Sequence, residues 1–95
     1  MASRRPFFLK DKDDNRIDIS IDWSEFLDVD EVVTSVWTIT PALELVEVAS
    51  SFVGNVCTVF LDNGEAGTNY VVTNTITTTQ PRDVQRSVTV AVREL

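Results

Sequence analysis

Between Arg16 and Trp23 every second residue is apolar: Ile17, Ile19, Ile21 and Trp23 alternate with Asp18, Ser20 and Asp22. A period of two puts the four apolar side chains on one face of an extended chain, so the segment predicts a half-buried strand. The same period returns over Glu31–Thr40, with Val33, Trp37 and Ile39 on one face, until Pro41 stops it. Over Leu43–Val48 the phase slips from odd positions (Leu43, Leu45) to even ones (Val46, Val48), which predicts a bulge or bend near Val46. Ser50–Val53 reads as a short edge strand before a turn at Gly54-Asn55. Val56–Leu61 follows, with Cys57, Val59 and Leu61 as its inner face. Asp62–Gly67 has the Asn and Gly residues of a turn. The last two runs, Asn69–Thr78 and Val84–Arg93, flank Gln80-Pro81-Arg82-Asp83 as a β-hairpin does. In them Tyr70, Val72, Ile76, Val88, Val90 and Val92 face inward, while Thr73, Thr75 and Thr77 face outward. Ser24–Leu27 is expected as a single helical turn, capped by Asp22 or Ser24 and ended by Asp28–Asp30. No segment sustains a 3.6-residue period.

About seven short strands with turns every 8–12 residues predict an all-β chain, an antiparallel β-sandwich. Two details point to an immunoglobulin-like version. Tyr70 stands at the start of a late strand, where a tyrosine corner would sit, and Val72 occupies the place of an antibody domain's second cysteine. Trp37 is expected at the centre of the core, so Trp23, Trp37, Tyr70 and Val72 form the candidate core cluster of a sandwich without a disulfide. Residues 1–14 read as an extended N-terminal arm, since Pro6 disfavours helix and the charges show no period. Residues 15–95 form the sandwich domain. Phe7, Phe8 and Leu9 in the arm must dock on this domain or on a neighbour.

Ninety-five residues make one domain, and a chain this size buries about 60–65% of its unfolded surface, enough for one thin core. The single cysteine, Cys57, permits no intrachain disulfide, so the core must hold the fold alone, as expected of a protein made in a reducing cytoplasm. With 15 acidic against 8 basic residues the formal net charge is −7, which repels nucleic-acid phosphates and anionic lipid. The one basic cluster, Arg4, Arg5, Lys10, Lys12 and Arg16, is diluted by Asp11, Asp13 and Asp14. Ser3–Lys10 superficially follows a twin-arginine export pattern, but charged residues replace the apolar stretch that export needs, so no signal is expected. No run reaches the ~18 apolar residues of a membrane span.

The composition also limits chemistry. Without histidine the commonest general base and metal ligand is missing, and Ser/His/Asp or Cys/His nucleophile systems cannot be built. Asp11-x-Asp13-x-Asn15, with Asp22 at the twelfth place, has the ligand spacing of a calcium loop, but Arg16 stands where the sharp turn needs Gly and Ile17–Ile21 is a strand pattern. The carboxylate pairs Asp28/Asp30 and Glu25/Glu31 read as charged loops. No catalytic residue, cofactor site or metal site is expected. What remains is a surplus of apolar residues on faces read as outward: Val36, Val56, Phe60 and Val71, with Phe7, Phe8 and Leu9 of the arm. These are the candidate protein-interface residues.

The order of short motifs along the chain resembles the fiber-tail adaptor proteins of tailed bacteriophages. The residues that carry the resemblance are Phe8-Leu9-Lys10-Asp11, Asp22-Trp23-Ser24, Val36-Trp37-Thr38, Val59-Phe60-Leu61, Gly67-Thr68-Asn69-Tyr70-Val71-Val72-Thr73-Asn74 and Arg86-Ser87-Val88-Thr89. Lys12, where many relatives have Pro, and the Thr79–Asp83 turn depart from the pattern. The resemblance implies a non-enzymatic virion protein of the tail or neck, made in the bacterial host's cytoplasm and present in several copies. It would help attach fibers or spikes, with other tail, neck or fiber proteins as partners and neither nucleic acid nor membrane among them. Two alternatives stay open: a carbohydrate- or cell-surface-binding module, which needs exposed Trp or Tyr, and a head-completion or decoration protein.

Overall fold

The period-two segments become strands that close face to face. A computed structural model describes residues 7–27 and 29–95. Among them are seven strands: β1 (Phe7–Asp11), β2 (Ile17–Asp22), β3 (Val32–Thr40), β4 (Val46–Val53), β5 (Val56–Asp62), β6 (Asn69–Thr78) and β7 (Asp83–Arg93). The helical turn α1 (Ser24–Leu27) lies between β2 and β3, and the Asp22 carboxylate caps it by accepting the Ser24 N–H at 2.9 Å. One sheet has the order β1-β7-β6-β3 and the other β2-β5-β4. β1 runs parallel to β7; every other pairing is antiparallel.

The core lies between the sheets. Ile19 and Ile21 of β2, Cys57, Val59 and Leu61 of β5, Tyr70, Val72 and Ile76 of β6, and Val88, Val90 and Val92 of β7 are buried, as the alternation predicts. Trp23, Trp37, Tyr70 and Val72 are all buried as well. The Tyr70 hydroxyl accepts the Glu65 N–H at 2.9 Å and donates to the Leu43 carbonyl, so it ties the turns before β4 and β6. Asn74 is fully buried and joins the two layers. Its carbonyl oxygen accepts the Trp23 indole N–H at 2.9 Å, and its amide donates to Ser35 Oγ at 2.9 Å and the Val36 carbonyl at 3.2 Å. Arg86 stacks over the Trp23 ring, 4.7 Å from its centroid. The Trp37 indole N–H, in contrast, is buried without a partner among the described residues.

Three expectations need correction. Val33 is exposed and Val32 buried, because a bulge between Val32 and Thr34 shifts the phase of β3. Leu43–Val48 and Ser50–Val53 are not two strands. One strand, β4, runs through Val46–Val53, with its irregularity between Glu47 and Ala49. Part of the expected arm is sheet: Phe7–Asp11 is β1, and the backbone of β7 gives it a template to pair on. Residues 1–6 and Asp28 lie outside the described residues.

Because Asn74 and Tyr70 satisfy buried groups that have no water to turn to, removing either partner costs more than an average hydrogen bond. Asn74→Ala is expected to lower unfolding free energy by roughly 2–4 kcal/mol and Tyr70→Phe by about 1–2 kcal/mol. Outward Thr75→Ala should stay within about 0.5 kcal/mol. Urea titrations of the three variants check the order.

Candidate protein-interaction surfaces

An open sandwich has four sheet edges, and unpaired backbone at an edge can add a strand from another chain. Three of the edges here are guarded. β1 is five residues long. β2 carries Asp18 and Asp22 outward, and β3 has its bulge and ends at Pro41. β4 is different. All eight of its residues are exposed, and after its early irregularity Ala49–Val53 contains no charge, Pro or Gly. Val46, Val48, Phe52 and Val53 stand out among its exposed apolar side chains, Val53 at 82%. Glu47, Ser50 and Phe52 lie opposite Leu61, Val59 and Cys57, on the core side, yet they remain open.

The turn after β4 is firmly held. Gly54 adopts φ +59°, the left-handed position that a two-residue Gly-X hairpin requires. Asn55 then anchors the turn: its side chain accepts the Val32 N–H at 3.1 Å, and its carbonyl accepts the Trp23 N–H at 2.8 Å. The edge strand is thus presented on a rigid frame.

The sequence-derived interface residues fall on three separate surfaces. Phe7, Leu9, Val36 and Val71 share the outer face of the four-stranded sheet. Val56 and Phe60 share the outer face of the three-stranded sheet, where the Arg16 guanidinium lies 5.3 Å from the Phe60 ring centroid. Phe8 points to the core side of β1. Phe7, Phe8, Leu9 and Val36 are exposed, while Val56, Phe60 and Val71 are half-buried. Sequence reasoning placed an edge strand at Ser50–Val53 and a bulge near Val46 but named no β4 residue as an interface candidate, because the bulge splits the apolar pattern into two weak segments.

Sequence motifs with chemical potential are occupied structurally. Among the described residues no group of three or more His, Cys, Asp or Glu is placed to hold a metal ion. The Asp11 carboxylate accepts the Asp13 and Leu95 N–H groups, both at 2.8 Å, and Asp22 is a helix cap. Lys10 is buried, with its ammonium donating to the carbonyls of Asp11 and Asn63. Burial lowers its pKa, against the pull of Asp14, Asp11, Asp62 and Asp13. Burial raises the Cys57 thiol, which keeps it protonated and inert.

Residues 10–91 match the sequence model of the family described as podophage GP4 fiber-tail adaptor protein gp77. The chain belongs to this family. No curated protein matches the chain. Among the described residues of this adaptor, the β4 edge is the least protected sheet edge.

One buried carboxylate ties the stability of the adaptor to pH. Burial acts to raise the Asp30 pKa. Hydrogen bonds from the Thr79 hydroxyl and the Gln80 and Glu31 N–H groups outweigh it and hold the group well below its ordinary 3.8. Thr79 Oγ1 stands at 2.6 Å and Gln80 N at 2.9 Å from Asp30 Oδ1, and Arg82 Nε at 3.7 Å from Oδ2. A depressed carboxylate stabilises fully above its unfolded pKa, and that contribution fades as pH falls toward the folded value. Wild type is therefore expected to exceed Asp30→Asn in Tm by a constant margin at pH 5–7, a margin that narrows steadily below about pH 4. Thermal melts at stepped pH check this.

Proposed function

We propose that this chain is a non-enzymatic structural adaptor of a phage tail or neck that helps attach fibers or spikes, and that its β4 edge is a principal docking site for them. Family membership across residues 10–91 supports the role. The single observation that supports the site is the exposed, uncharged Ala49–Val53 run on a sandwich whose other described edges are guarded. A partner segment in extended conformation would pair with the β4 backbone and seat apolar side chains against Val48, Phe52 and Val53. In this reading the adaptor is a virion component, made in the host cytoplasm and used in several copies.

We read the sandwich as immunoglobulin-like. Numbering the strands A to G in chain order gives B-E-D for β2-β5-β4 and C-F-G for β3-β6-β7, the immunoglobulin neighbours, with the first strand moved to β7. The Tyr70 hydroxyl reaching back to Glu65 supports the same reading. A sugar-binding role is disfavoured, since Trp23, Trp37 and Tyr70 are all buried.

Phages carrying Val48→Lys or Phe52→Lys test the docking site. Val48 and Phe52 are about two-fifths exposed, so each variant is expected to stay folded, at a cost of about 1–2 kcal/mol at most, which thermal melts of the purified proteins check. The expected particles then lack fibers or lack the adaptor. Normal particles from both variants would remove β4 from the docking site.

A further inference from the structure

We infer that the outer face of the four-stranded sheet is a contact surface between two copies of this chain. The adaptor role is not used in reaching it; the charge pattern and the hydrogen bonding of the face carry it.

On this face stand alternate residues of β3 from Thr34 to Thr40, of β6 from Val71 to Thr77, of β7 from Gln85 to Ala91, and Phe7 and Leu9 of β1. None of them is charged, and among the described residues charge enters this face only at its margins, with Asp11, Asp83 and Arg93. The chain as a whole carries a net −7. The outer face of the other sheet differs, since Asp18, Asp22 and Asp62 stand on it. Two copies meeting through that second face would bring like charges together, whereas the four-stranded face brings none. A partner of opposite charge would select the acidic face. A neutral face is the surface on which an identical, equally acidic molecule can approach.

The face is also prepared for burial. Hydroxyl groups cost free energy when dehydrated without partners, and most of those here have one: Thr34 pairs with Thr77 at 2.5 Å and Thr73 with Ser87 at 2.7 Å, while Thr75 donates to Gln85 at 3.5 Å, which leaves Thr38, Thr40 and Thr89 to find partners across the contact. Val36 and Val71 add apolar surface toward β3, and Phe7 and Leu9 add it at the β1 edge. Four strands about 4.8 Å apart and some seven residues at about 3.4 Å give a footprint of roughly 450 Å². Stable interfaces bury about 800 Å² per partner, so the pair is weak in dilute solution and forms where copies are held close.

A two-fold contact sets a residue near its centre against its own copy, so one added charge there repels itself. The experiment follows amide NMR shifts of the full chain from about 0.05 to about 2 mM, a range that reports millimolar dissociation constants. Shifts are expected to move with concentration along β3, β6 and β7 outer positions. Added salt should strengthen the association, because it screens the −7 charges. Thr75→Lys and Thr38→Glu should each weaken it at least about tenfold while melting normally, and Ser20→Lys on the outer face of the other sheet should leave it intact. Absence of any concentration dependence would overturn the inference. So would shifts confined to β4 and β5, or association unaffected by both Thr75→Lys and Thr38→Glu.

Discussion

The structure depends on one buried amide. Asn74 sits in β6, between layers that no disulfide joins, and its carbonyl accepts from the Trp23 indole while its amide donates to Ser35 and Val36. Trp23 follows β2 and leads into α1, so the bond fixes that end of the three-stranded sheet against the four-stranded one. A thin core with no disulfide supplies little else that is directional, because apolar contact alone leaves two sheets free to slide. Arg86 covers the exposed side of the same indole, and Asn55 binds the Trp23 backbone from the next turn. The rotation of one sheet on the other is therefore set around Trp23, and the edge strands inherit their positions from it.

Much of this was legible in the chain. Ile17–Trp23, Val56–Leu61 and the final hairpin show an unbroken period of two, and their buried faces follow it. Trp37 was legible as core for the same reason. What was not legible depends on single extra residues. Val33 inserts a bulge that inverts the phase around it, and the Glu47–Ala49 irregularity made one strand look like two. β1 was hidden because its sequence has no alternation of its own; it is a strand because β7 offers it a backbone. The polar role of Asn74 was equally invisible, since an Asn at an inward position gives no sign of its partners. The β4 surface was not legible as an interface because exposure on both faces depends on what the opposite sheet covers, and no local pattern encodes that.

The two outer faces divide the surface by charge. The three-stranded side carries Asp18, Asp22 and Asp62, while the four-stranded side is hydroxyl-rich and neutral. Such a division lets one small domain meet unlike neighbours without extra loops: edge backbone for a strand, acidic surface for basic groups, neutral surface for its like. Asp30 and Lys10, the buried charges, stay out of this surface chemistry. Each is consumed in holding turns together at an end of the sandwich.

The open β4 edge has a consequence for timing. Unpaired strand backbone does not distinguish a cognate segment from the edge of any other unfinished chain. A protein that leaves Ala49–Val53 uncovered is safe only while its supply is matched to the partners that cover it. With β4 as the proposed docking edge, protection that most sheet proteins write into the edge itself, as a lysine or a proline, passes to the order and stoichiometry of assembly.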